Sequence, residues 1–269
     1  MDKEQKEKEQ EIIKKAIENA EKKKLENMQK FLLFAILVLI PLSIFSAIKI
    51  FNWANENKQN KTIVENISEA ITVDETVEDV NKYDVDFNKL KQMNSDTVAW
   101  FKVNGTNIEY PVVKYTDNSY YMTHNFEKSY NSAGWAFMDY INKLDGQDKN
   151  VIIYGHNRRD GSMFSSLKNV FTDDWQNNED NFIIPFITEN EKTEYRVFSI
   201  YKIEEEDYYI TKDFKSDEDY EKFIKTIKSR SVKDFGVDVT KDDTILTLST
   251  CANDNNHRMV LHAKKIVQQ

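Results

Sequence analysis

Phe31 to Ile48 runs for 18 residues without a charge, FLLFAILVLIPLSIFSAI. No other segment constrains the fold as strongly. A helix on the surface of a soluble domain is apolar along one stripe, whereas this one would be apolar all round. At 1.5 Å per residue it would be about 27 Å long, near the thickness of bilayer hydrocarbon. Pro41 is compatible with a membrane helix, where neighbouring groups re-satisfy the freed carbonyl. A cleaved signal peptide fits less well, because a long charged leader precedes the run and no A-x-A site follows. The expectation is a retained transmembrane anchor over 31–51. Lys22, Lys23, Lys24 and Lys30 precede it and Lys49, Lys58 and Lys61 follow it, so the lysine asymmetry is slight. Orientation rests instead on size. The leader, 1–30, holds nine lysines and eight acidic residues, with Ile12, Ile13, Ala16, Ile17 and Ala20 at helical spacing. It is too short for a globular domain and is expected on the cytoplasmic side, with the remainder outside.

Residues 52–82 are polar and rich in Asn, Glu and Lys, and read as a helical stalk or spacer. The texture changes at Tyr83. Asp86 is a candidate N-cap for a short helix. Short β-branched and aromatic runs follow: Val98–Val103, Ile108–Val113, Trp135–Asp139, Val151–Tyr154, Phe182–Thr188, Glu194–Ile203, Thr244–Thr250 and Arg258–Val267. Asn104-Gly105-Thr106-Asn107 between the first two is a hairpin signal. Eight short strands separated by turn residues predict a closed or nearly closed β-barrel over 83–269, so the fold class is mainly β with peripheral helices. Those helices are expected at Met163–Val170 and Ser216–Arg230. In the second, Tyr220, Phe223, Ile224 and Ile227 share one face.

Charge and composition exclude several classes. With 37 basic and 46 acidic residues the net charge is -9, so the chain lacks the basic face of a general nucleic-acid binder. Six glycines and three prolines argue against collagen-like or low-complexity chains. One cysteine, Cys251, rules out an internal disulfide framework and a cysteine-only metal site. No metal or cofactor is expected.

Cys251 ends a predicted strand and Arg258 begins the next. If these strands pair antiparallel, the two residues face each other across the loop mouth. A guanidinium beside a thiol favours the thiolate and can donate to a developing oxyanion. A thiol nucleophile also needs a proton partner. His156 follows the strand Val151–Tyr154 and sits at another strand end. His257, next to Arg258, is its strongest rival. His124 lies among aromatics and reads as structural, and His262 lies within the last strand. A buried cysteine with unrelated histidines is the bland alternative.

Thr247-Leu248-Ser249-Thr250-Cys251, with Arg258 seven residues on and Tyr154-Gly155-His156-Asn157 upstream, resembles the sortases, the cysteine transpeptidases of Gram-positive cell surfaces, and class B in particular. Asp160-Gly161-Ser162-Met163-Phe164 and the segments Val98–Thr106 and Ile108–Val113 are similar to the same class, so the likeness covers about 83–269. It implies an eight-stranded barrel, a membrane anchor and an extracellular catalytic domain, and favours His156 over His257. It also implies roles. Cys251 attacks the carbonyl of a threonine within a C-terminal sorting signal, His156 protonates the leaving amine, and Arg258 orients substrate or stabilises the oxyanion. Ser249, Thr250 and Asn157 are the expected substrate-binding residues. The partners implied are surface-protein precursors and an amine of the peptidoglycan precursor or cross-bridge. Two other readings stay open on the same barrel: a hydrolytic cysteine peptidase, and a catalytically silent surface-binding module.

Overall fold

A computed structural model describes residues 3–204, 206–251 and 257–266. The expected loop over 252–256, the end of the last strand at Val267 and the side chain of Cys251 lie outside the described residues. The chain divides into two units, residues 1–55 and 56–269. Helix α1 (Lys3–Ser68) contains the apolar run and continues through Pro41. It is long and apolar enough to cross a membrane, with a mean hydropathy of 2.8 in its most apolar window. None of that window is buried among the described residues, so its apolar surface is left uncovered by the rest of the chain.

In the second unit, the end of α1 buries Asn60, Ile63 and Ile67 in the domain core. Two short strands, β1 (Ile71–Val73) and β2 (Tyr83–Val85), pair antiparallel into a small sheet that the sequence pattern did not reveal. Helix α2 (Phe87–Met93) follows, and the Asp86 carboxylate caps it by accepting the Lys89 N–H at 2.9 Å.

The barrel strands are β3 (Thr97–Lys102), β4 (Glu109–Val113), β5 (Phe137–Met138), β6 (Asn150–His156), β7 (Ile183–Thr188) and β8 (Lys192–Glu204), with the short helix α3 (Asp173–Gln176) between β6 and β7. After helix α4 (Asp217–Ser229) come β9 (Ile245–Cys251) and β10 (His257–Ile266). They close in the order β10-β8-β7-β3-β4-β5-β6-β9. The eight expected strands are these eight. The β3–β4 hairpin turns at Gly105, whose φ is +70° and where a Cβ would lie 2.7 Å from Trp175.

Alternation along the strands separates two apolar layers. Val151, Ile153, Leu246, Leu248, Leu261 and Ala263 fill the barrel interior. Phe198, Tyr201, Ile245 and Val260 face outward under α4, whose Tyr220, Phe223, Ile224 and Ile227 cover them. Each such buried side chain contributes about 1.5–3 kcal/mol. Ser216 caps this helix, accepting the Asp219 N–H at 3.2 Å. The other expected helix, Met163–Val170, is instead a 3-10 helix at Phe164–Phe171. Its Phe164, Ser165, Ser166 and Leu167 are all buried, an unbroken run that a single-faced α-helix would not bury.

Candidate active site

The parallel neighbours β6 and β9 set the site. Their register runs from Asn150↔Ile245 to His156↔Cys251, so the last residues of the two strands are direct partners across the ladder. Neighbouring strands lie about 4.8 Å apart. Positions 156 and 251 are therefore held side by side by backbone hydrogen bonds. On its other edge β9 pairs antiparallel with β10, through Val260↔Ser249. Two residues beyond that pair, β9 reaches Cys251 and β10 reaches Arg258. The condition set for Cys251 and Arg258, antiparallel strands, is met.

Gly155 has a steric reason to precede His156. A Cβ there would lie 2.4 Å from the Phe164 ring, which packs against the strand end. The His156 Nε2–H donates to the Met122 carbonyl at 2.7 Å. A carbonyl only accepts, so Nε2 carries the proton and Nδ1 is the basic nitrogen of the neutral ring. Burial holds the imidazole below its ordinary value. The Met122 carbonyl opposes this, and the charges of Arg158 and Arg258 add to it. At neutral pH the ring is mainly uncharged.

A cleft of about 330 Å³ opens beside these strand ends. Ser249, Thr250 and Arg258 line it, with Met122, Tyr154 and Tyr209. Ser249 Oγ lies 2.9 Å from Tyr209 Oη, and Thr250 Oγ1 accepts the Met259 N–H at 2.9 Å. Asn157 does not line this cleft; it bridges to Met163. Three larger hollows, of about 360, 380 and 610 Å³, lie elsewhere on the domain, and none of them has Arg258, Ser249 or Thr250 in its wall, so the smaller cleft is the one that adjoins the ends of β6 and β9.

Behind the cleft, the fully buried Asp139 accepts from Lys212 at 2.9 Å, Asn118 at 3.0 Å and Tyr154 Oη at 3.0 Å. Burial pushes its carboxyl up. The Ile141 N–H, Lys212 and Asn118 outweigh that and hold it below the usual range. This ion pair fixes Tyr154 and Asn118 at the rim. Sequence reasoning missed Asn118, Met122, Asp139, Lys212 and Tyr209. An Asp with a Lys 73 residues away leaves no local signal.

The remaining histidines separate clearly. His124 stacks on Tyr120 with centroids 4.0 Å apart, the structural place expected of it. His257 is exposed and pairs with Glu204 at the start of β10. His262 is completely buried. Among the described residues, no group of three or more His, Cys, Asp or Glu is placed to hold a metal ion.

A family model described as the sortase domain matches residues 101–266. The sortase B of Listeria monocytogenes is 34% identical over 241 residues, which covers 86% of this chain and 95% of that protein. The sortase B of Staphylococcus aureus is 33% identical over 244 residues, covering 89% of this chain and 98% of its own length. A crystal structure of a Bacillus anthracis protein described as similar to sortase B superimposes with a TM-score of 0.68 at 35% identity, covering 80% of this chain and 98% of the other.

Proposed function

We propose, from the premise that this chain belongs to the class B sortase family, that its cysteine transpeptidase activity runs through Cys251, His156 and Arg258. The observation that carries this reading is the pairing of positions 156 and 251 across one ladder, with Arg258 lining the adjoining cleft. In the first half-reaction the Cys251 sulfur attacks the carbonyl carbon of a threonine in the sorting signal. Arg258 donates to the oxygen that gains charge. The C–N bond breaks, and His156 gives its proton to the departing amine. The threonine is left as a thioester on Cys251. In the second half-reaction an amine of the peptidoglycan precursor or cross-bridge attacks that thioester. His156 takes up the amine's proton, the C–S bond breaks, and the thiolate returns. A small thiolate–imidazolium fraction suffices, in keeping with the lowered proton affinity of His156. Ser249 and Thr250 shape the peptide site from the cleft wall, whereas Asn157, expected beside them, stands outside that lining.

The test is a mixture of fluorogenic peptides carrying sorting-type segments with an internal threonine, assayed by mass spectrometry with and without an added amine. Cleavage should vanish in Cys251→Ala, and the amine should appear in the product. Cleavage retained in that variant would refute the nucleophile. A product that never incorporates amine would leave a hydrolytic peptidase.

The same reading places 1–30 inside the cell, 31–51 across the membrane, 52–82 as a spacer and 83–269 as the catalytic domain outside. The apolar, unburied window of α1 supports membrane anchoring. Anchoring confines enzyme, precursor and acceptor to one surface and so raises their effective concentration. Protease added to intact cells should digest the chain beyond residue 51, and full protection would reverse the orientation.

A further inference from the structure

Asn150, Thr247 and His262 are polar side chains with at most trace exposure, set in an otherwise apolar layer beneath α4, and the proposed chemistry uses none of them. Their hydrogen bonds have a fixed direction. The Asn150 amide nitrogen donates to two backbone carbonyls, Tyr209 O at 3.4 Å and Thr211 O at 3.0 Å. Its Oδ1 therefore faces Thr247, whose hydroxyl must donate to it, at 2.6 Å. With that proton committed, Thr247 Oγ1 can only accept from His262 Nδ1, 2.8 Å away. The ring is thus the Nδ1–H tautomer. Its Nε2 accepts from Tyr201 Oη, at 2.8 Å. Tyr201 in turn accepts from Arg230, which has only donors to offer. Burial supports the assignment, since it pushes His262 down to about 3 and keeps the ring neutral.

The two ends of this chain grip one short segment. Arg230 pairs with Glu206 and lies over the Tyr208 ring, 5.4 Å from its centroid. Asn150 holds Tyr209 and Thr211 by their carbonyls. Between those grips, Glu206, Asp207, Tyr209 and Ile210 form one wall of the cleft. We propose that Arg230, Tyr201, His262, Thr247 and Asn150 act as a one-directional hydrogen-bond relay that sets the position of 206–211, and through it the binding of the peptide rather than the chemical step. They are positioning residues, and their effect on binding rests on the reading of the cleft given above. The relay also gives Thr247, the first residue of the cysteine motif, a task of its own.

The first arm of the test needs no substrate. In the full chain in detergent micelles, the isosteric Thr247→Val should speed amide exchange of 206–211 at least tenfold while leaving β6 and β9 protected. Nitrogen NMR of His262 should show the Nδ1–H tautomer in the unaltered protein. The second arm uses the peptide mixture described above. Thr247→Val and Asn150→Leu should raise KM at least fivefold with kcat within twofold, and Thr247→Ser, which keeps the hydroxyl, should restore KM. Unchanged exchange over 206–211, an Nε2–H tautomer, or a fall in kcat at constant KM would each overturn the relay. Should Thr247→Val fail to fold, Tyr201→Phe breaks the same chain one step from its other end and must give the same two signatures. Relay signatures in the first arm with no peptide cleaved by the unaltered protein would refute the cleft reading and leave the relay standing as a purely structural clamp.

Discussion

His156 and His262 lie on strands of one barrel, and their surroundings differ in one decisive respect. His262 has hydrogen-bond partners on both ring nitrogens, Thr247 on one side and Tyr201 on the other, and no exposed surface. His156 is half-buried, and the Met122 carbonyl takes its Nε2–H. Burial depresses the proton affinity of both rings. Depressed proton affinity therefore does not tell the proposed proton carrier from a core histidine. Place does: His156 ends a strand beside the cleft, whereas both nitrogens of His262 are taken inside the core. A ring fixed at one nitrogen is oriented and can still exchange a proton, whereas a ring fixed at both is part of the scaffold.

The comparison breaks most directly at His156. His156→Ala should lower peptide cleavage by about 10²–10⁴, the usual contribution of a positioned acid–base group. His257→Ala, at an exposed position, should stay within a few-fold of the unaltered protein. The reverse ranking in a steady-state assay would move the proton carrier to the head of β10. Arg258→Lys should cost about tenfold to a hundredfold, because a point charge cannot reproduce the planar fork of donors. An unimpaired lysine variant would reduce Arg258 to a simple cation. The smallest effect belongs to His262 and is one of stability. Its native proton affinity lies below that of the unfolded chain, so the unfolded state binds the extra proton first. Its stabilising contribution is complete above the unfolded value near 6.5 and declines as pH falls toward about 3. Within that window it should account for at most about 1.4 kcal/mol per pH unit. Denaturant titrations at several pH values, compared with His262→Gln, should show a shallower acid decline in the variant. Identical slopes would mean that the ring is hydrated and not sealed.

Much of this architecture is legible along the chain, because strands and caps are local. The eight β-rich runs, the turn at Gly105, the caps Asp86 and Ser216 and the buried face of α4 all follow from spacing and side-chain type. The proposed site residues Cys251, His156 and Arg258 could be singled out along the chain because each sits at a strand end within a recognisable motif. What stayed hidden is non-local or independent of side-chain identity. Met122 contributes its carbonyl, which any residue would supply. Asp139 meets Lys212 only through the fold. Strands β1 and β2 have three residues each, too few for any periodicity to register. Ile63 and Ile67 lie in a polar segment, and only the packed domain shows that they are core. The parallel pairing of β6 with β9 could not be read from either strand alone, and it is this pairing that brings positions 156 and 251 together.

On the proposed chemistry, that pairing also governs when reactivity appears. Strands β6 and β9 are neighbours in space, yet their partners lie about 95 residues apart along the chain, so closing their ladder carries a large loop-entropy cost and comes late in folding. Until it closes, positions 156 and 251 are not neighbours. Pulse-labelled hydrogen exchange during refolding should find β6 and β9 among the last segments protected. The newly made polypeptide is on this account its own dormant precursor, harmless to neighbouring chains until the barrel that switches it on is finished.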